Sequence, residues 1–211
     1  MLANYTELQT EIADTLHRDD LTSKIPLFIK LFEKRLNRHL NIPQQTVTTD
    51  LTLAANTQTI TLPSDMMEPL DAVIYIGNVP CELVHVTGEF IDNTMPISSV
   101  PTYFTINAGA MNFGVTANQN YTVRLRYVKS WDLATDNTNW LLTNNPDCYL
   151  YGALAASAPY IGDDERLALW QSLAAESIDE IKRMGAQMRK APLLTEVQAH
   201  KGKRFNIVRG Y

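Results

Sequence analysis

Apolar positions recur along this chain with two periods, and the period switches twice. Leu8, Ile12 and Leu16 stand four residues apart. Ile25, Phe28, Ile29, Phe32, Leu36 and Leu40 share one face of a 3.6-residue turn. These spacings predict two amphipathic helices. Thr6-Glu7-Leu8-Gln9 reads as a capping box for the first, Asp19-Asp20 and Thr22-Ser23 break the pattern, and Pro26 suits the first turn of the second. The second helix carries Lys30, Lys34, Arg35 and Arg38 on its other face, and Pro43 closes it.

The period then drops to two. Tyr121, Val123, Leu125 and Tyr127 alternate with Thr122, Arg124 and Arg126, as in a strand with one buried face. Thr46–Leu53 reads as a strand with Thr57–Leu62 as its partner across Ala54-Ala55-Asn56. Asp71–Ile76 turns through Gly77-Asn78 into Val79–Val86, and Tyr103–Asn107 and Met111–Val115 form a hairpin around Ala108-Gly109-Ala110.

The helical period returns after Asn145-Pro146-Asp147, a cap, a proline at the first helical position and an acid near the positive end of the dipole. This third helix is expected to reach about Tyr160. Gly162-Asp163-Asp164 stops it and caps a fourth, whose stripe is Leu167, Trp170, Leu173, Ala174, Ile178, Ile181 and Met184. Gly185 and Pro192 are expected to loosen the chain beyond that stripe. The order predicts an α+β fold: a four-helix bundle with a β module inserted between helices two and three, and an extended C-terminal arm. The bundle takes residues 1–44 and 139–190, the β module 45–138 and the arm 191–211.

Charge changes the picture only at the end. From Arg189 onward there are six basic residues and one acid, Glu196, while the whole chain carries −5. An acidic body therefore ends in a basic tail, and the tail interleaves Phe205, Ile207, Val208 and Tyr211 with Lys201, Lys203, Arg204 and Arg209. Such a tail has little to bury against by itself, which points to docking on another protein surface. At 211 residues with 45% hydrophobic and 19% charged positions, the chain can build a core. No apolar run approaches the roughly 18 residues of a membrane span, and the first residues lack the blocks of a signal peptide, so no membrane partner is expected.

Candidate chemistry is sparse. His17, His39, His85 and His200 are scattered, and Cys81 and Cys148 read as reduced, buried small hydrophobes, so no metal or other cofactor is expected. Asp19-Asp20 and Asp163-Asp164-Glu165 read as helix caps and dipole partners rather than as a glycosidase pair. No nucleophile elbow, phosphate-binding loop or dinucleotide fingerprint occurs. Lys30, Lys34, Arg35 and Arg38 could touch phosphate, but an acidic body argues for a solvated or intersubunit face. Trp131, Trp140, Tyr149, Tyr151 and Tyr160 read as core or subunit contacts. Lys34, Arg35, Arg38, Tyr149 and Tyr151 are the candidate subunit interface.

One ordered string is familiar. Asn139-Trp140-Leu141-Leu142-Thr143, Pro146-Asp147-Cys148-Tyr149-Leu150-Tyr151-Gly152-Ala153-Leu154, Ala158-Pro159-Tyr160, Asp163-Asp164-Glu165-Arg166 and Trp170 resemble the head-to-tail adaptor (connector) proteins of short-tailed bacteriophages. Tyr5-Thr6-Glu7-Leu8-Gln9, with Ile12-Ala13 and Leu16-His17-Arg18, resembles their opening helix. Leu62-Pro63-Ser64-Asp65 with Glu68 resembles the lead into their central strands, although Met66-Met67 replaces an aromatic-leucine pair. The resemblance implies a structural virion protein at the portal–tail junction, made in the host cytoplasm, and not an enzyme. It implies a homo-oligomeric ring, usually of twelve copies, docked on the portal protein. The ring would continue a channel through which genomic DNA passes without sequence-specific binding, and would offer a platform to tail and nozzle proteins. The arm residues Lys201, Lys203, Arg204, Phe205, Ile207, Val208, Arg209 and Tyr211 would then grip the portal. The rival readings are a tail-associated cell-wall hydrolase, another tail or head-completion component, and a cellular nucleic-acid-binding module.

Overall fold

The computed structural model describes residues 2–95, 97–162 and 165–189. Helix α1 (Tyr5–Leu16) buries Leu8, Ile12 and Leu16, as the four-residue spacing predicts. Its cap is Asn4, whose side-chain oxygen accepts from the Glu7 amide; Glu7 in turn accepts from the Ala3 amide and the Asn4 side chain. The expected Thr6–Gln9 box is thus displaced by two residues, because a better acceptor stands just upstream. A 3-10 turn (Asp19–Lys24) leads into α2 (Ile25–His39), which has Pro26 in its first turn.

The strands form two main sheets. The first has the order β1 (Thr46–Leu53), β10 (Tyr121–Lys129), β3 (Met66–Ile76), β4 (Val79–Glu82), all antiparallel. The second has the order β2 (Thr59–Thr61), β8 (Ala110–Phe113), β7 (Tyr103–Asn107), β5 (Val84–His85), with β5 parallel to β7. β6 (Ser98–Ser99) and β9 (Thr116–Ala117) make a small parallel pair, and a short helix α3 (Gly88–Asp92) packs on β7. The expected β1–β2 hairpin does not form. β1 pairs with β10 along its length, and β2 crosses to the other sheet. The corner is held by the Ala55 amide on the Asn120 side chain and the Asn56 amide on the Ala117 carbonyl, with Asn56 at φ 61°. Those bonds turn the chain out of one sheet and into the next. The hairpins at Gly77-Asn78 and Ala108-Gly109 do form, with positive φ at Gly77, Ala108 and Gly109.

Beyond the strands come α4 (Leu133–Asp136), α5 (Trp140–Asn144), α6 (Pro146–Ala156), α7 (Ala158–Ile161) and α8 (Arg166–Arg189). The expectation of a four-helix bundle with a β insert is therefore overturned. Among the described residues there are eight helices, four of them only four or five residues long, and the β part is a two-sheet structure with its own core. Three local signals act otherwise than expected. Asn139, not Asn145, caps by side chain, its oxygen accepting from the Leu142 amide at the start of α5. The third helix stops at Ala156, and Pro159, which has no amide to give, opens the separate turn α7. Gly185 does not loosen α8: it is buried, and a Cβ there would lie 2.6 Å from Ile42 Cγ2.

Two hydrophobic clusters result. The helical one gathers Leu8, Ile12, Phe28, Phe32, Leu36, Tyr149, Leu154, Trp170 and Ile181, and also takes in Trp131 and Leu133 from the segment after β10. α6 lies in its middle and packs on α1, α2 and α8. It approaches α2 so closely at Gly152 that a Cβ would stand 2.2 Å from the Phe32 ring. The other cluster lies between the two sheets and includes Leu53, Ile74, Phe104, Met111, Phe113, Val123 and Leu125.

Candidate functional site

The outer face of α2 is the first surface that the fold leaves unused. Its inner face buries Phe28, Ile29, Phe32 and Leu36, which turns Leu27, Lys30, Leu31, Lys34, Arg35 and Arg38 to solvent. Leu27 and Leu31 are 39% and 46% exposed, so the stripe mixes apolar and basic groups. None of the four basic side chains makes an ion pair among the described residues. Three of the expected interface residues, Lys34, Arg35 and Arg38, are thus on one exposed face. The other two separate. Tyr149 is fully buried in its own chain, edge-on to Phe32 with centroids 5.8 Å apart, and Tyr151 is half-buried. Residues two apart on a helix cannot share a face, and here the core takes the first.

Tyr149 belongs to a polar network that ties α2 and α6 to the segment after β10. Glu33 Oε1 accepts from the Leu133 amide (2.9 Å) and the Tyr149 hydroxyl (3.0 Å), and Asn139 Nδ2 donates to that same hydroxyl (2.7 Å). One turn along α2, Asn37 donates to the Trp131 carbonyl (3.0 Å) and accepts from the Trp131 amide (3.1 Å). Glu33 and Asn37 therefore hold the segment where β10 hands over to the helices. Burial pushes the Glu33 carboxyl up to about 7, with the neighbouring Asp132 adding to it, against the hydrogen bonds from Leu133 and Tyr149 and the charge of Lys34. The Tyr149 phenol is held well above its usual range, by burial first and by Glu33 second. Sequence reasoning missed Glu33 and Asn37. The signal was an acid and an amide four residues apart, bordering the apolar face of α2.

The β half shows two further surfaces. On the outer face of the first sheet, Arg124 grips Asp50 through two bonds (2.7 and 2.9 Å) and lies over the Tyr75 ring, while Arg126 pairs with Asp71. At Pro69, which cannot donate to the ladder, the register slips and Leu70 is left 48% exposed. On the second sheet, Val84 and Tyr103 are paired neighbours and Phe90 meets Tyr103 at 5.1 Å, so α3 and β5 bound an exposed apolar patch.

No metal constellation is assembled among the described residues. No group of three or more His, Cys, Asp or Glu side chains there is arranged to hold a metal ion. Cys148 is buried and its thiol pushed up to about 12 by that burial, whereas Cys81 is half-buried on β4. A charged cleft of about 380 Å³ is lined by Lys34, Asp65, Lys129, Asp132 and Asp136, and Lys129 is already engaged by Asp65 and Asp136. Asp19-Asp20 open a 3-10 turn, with Asp20 bound to Arg18. No described helix is long and apolar enough to cross a membrane. Of the expected site residues, Lys201, Lys203, Arg204, Phe205, Ile207, Val208, Arg209 and Tyr211 lie outside the described residues.

No curated protein matches the chain. A family model does: SU10 adaptor protein, over residues 3–196, which takes in α1 through α8 and both cores and ends within the basic tail. The chain belongs to the SU10 adaptor protein family, a structural bacteriophage family whose members are adaptor components of the virion.

Proposed function

We propose that this chain forms the head-to-tail adaptor ring of its virion, most simply of twelve copies, docked on the portal protein. The ring continues the DNA channel and presents a platform to tail and nozzle proteins. Residues 1–44 and 139–190 supply the ring wall, residues 45–138 the projecting module and residues 191–211 the arm that holds the portal. The observation that carries this reading is the outer face of α2. A helix face that sets two exposed leucines among four basic groups without an ion pair among the described residues is well suited to a subunit contact. Lys34, Arg35, Arg38 and the half-buried Tyr151 are its members on this chain. The patch at Val84, Phe90 and Tyr103 supports the tail platform in the same way.

The arm reading rests on the amino-acid sequence. Lys201, Lys203, Arg204 and Arg209 would steer docking, and Phe205, Ile207, Val208 and Tyr211 would set its lifetime. Each arm can be weak, because repetition around a ring multiplies the holding power. The test is particle mass, measured for the chain alone and mixed with portal rings, beside a variant lacking residues 204–211. A ring-sized complex that the truncation abolishes supports the reading. Undiminished binding by the truncated chain removes the arm from it, and absence of any ring-sized complex removes the ring.

A further inference from the structure

The ring reading leaves open what the α2 stripe meets on the next copy, and the chain itself carries an answering surface. α1 contains Glu7, Glu11 and Asp14 and no basic residue. The three stand four and three residues apart, so they share one face, and all are exposed. α2 is the reverse: it exposes Lys30, Lys34, Arg35 and Arg38, and its one acid, Glu33, is buried. Both helices pack their apolar sides toward α6, which turns both charged sides outward. No ion pair joins the two within one chain, although α1 and α2 are neighbours.

We propose that the acidic face of α1 on one copy docks on the basic and leucine face of α2 on the next. This rests on the ring reading and names the two sides of its subunit contact. Unlike faces that meet head to tail generate a closed ring or a helical array, whereas a face that meets itself stops at a pair. The stripe interleaves two exposed leucines, Leu27 and Leu31, with its basic groups. Exposed leucines beside arginines suit a protein interface, and they disfavour a phosphate backbone, which has no use for leucine. Surface ion pairs are individually weak, so the single contact should be weak, salt-sensitive and dependent on closure for its strength.

The experiment is a charge exchange. One variant carries Lys34→Glu and Arg38→Glu; the other carries Glu11→Lys and Asp14→Lys. All four positions are exposed, so each variant should retain the helical signal and melting behaviour of the parent. Particle mass is measured with portal rings present, for each variant alone, for their equimolar mixture, and for the chain with all four changes. Either variant alone should lose assembly by about tenfold or more in concentration. The mixture should regain it, because in an alternating ring each contact again joins faces of opposite sign, and the fourfold variant should regain it for the same reason. Parent-like assembly by either variant alone overturns the proposal while leaving the ring reading in place. So does failure of the mixture and the fourfold variant to recover, which would assign the α2 stripe to a different partner. Absence of assembly by the parent chain itself would overturn the ring reading, and this contact with it.

Discussion

The helical core keeps a carboxyl and an amide inside, at Glu33 and Asn37, whereas the β core between the sheets is lined by apolar and aromatic side chains, its Tyr121 and Tyr127 hydroxyls donating to Asn118 and Asp65, and the β half carries Asp50–Arg124 and Arg126–Asp71 on an outer face. The difference stems from what each core must do. Sheets satisfy their own backbone through the ladder, so their interior can stay apolar. The helices must receive an irregular segment, Trp131 to Leu133, whose amides and carbonyl find no ladder. Buried Glu33 and Asn37 supply those partners. A buried network is costly to break by halves, and an exposed pair is not.

The largest expected effect is at Tyr149. Tyr149→Ala removes a fully buried aromatic that touches Phe32 and takes one hydrogen-bond partner from each of Glu33 and Asn139. It should cost about 3–5 kcal/mol in urea unfolding. Tyr149→Phe keeps the ring and loses the hydroxyl, which should cost about 1–3 kcal/mol. If the Phe variant were as stable as the parent, the network would be incidental and the contrast between the cores would collapse.

Much of this contrast is legible in the amino-acid sequence, and the illegible part has a common cause. The inner faces of α1 and α2 and the alternation in β10 come from local periods, which burial obeys. The partner of β1 does not, because pairing with β10 spans some seventy residues and is decided by a corner bonded to Asn120 and Ala117. Glu33 escapes notice for the same reason: its partners are about one hundred residues away, on Leu133 and Tyr149. The exposed basic stripe on α2 needs only the helical period, so that candidate surface can be read directly.

The next effect is the pH dependence of Glu33. Its carboxyl is raised to about 7 in the folded chain, so between about pH 4.5 and 7 the folded state holds a proton that the unfolded state has lost. Stability from this group is therefore complete below the ordinary carboxylate range and is lost as pH rises through about 7. The loss is on the order of 3 kcal/mol. Urea midpoints near the two ends of that window should show the decline, and Glu33→Gln, which keeps an acceptor but cannot ionise, should flatten it. A parent whose stability rises across the window, with no change on the Gln substitution, would place Glu33 outside the network.

The smallest effect is the one that tests the other half of the contrast. Asp50 and Arg124 are each nearly half exposed, and their pairing holds the Asp50 carboxyl below its ordinary range. Its sign is opposite to that of Glu33: the contribution is present above the usual carboxylate range and fades as acid is added. Water and salt screen such a pair, so Asp50→Ala should move the urea midpoint little, and less still in high salt. Arg124→Ala is the less clean probe, because the guanidinium also lies 5.0 Å from the Tyr75 ring centre and its stem covers the sheet. The double variant separates the two: the part of the Arg124→Ala effect that survives in the Asp50→Ala background belongs to Tyr75 and the packing of the stem, and the rest to the ion pair. A large coupling, insensitive to salt, would mean that the outer face of the sheet is shielded from water in solution, and the β half would then need a covering partner to explain it.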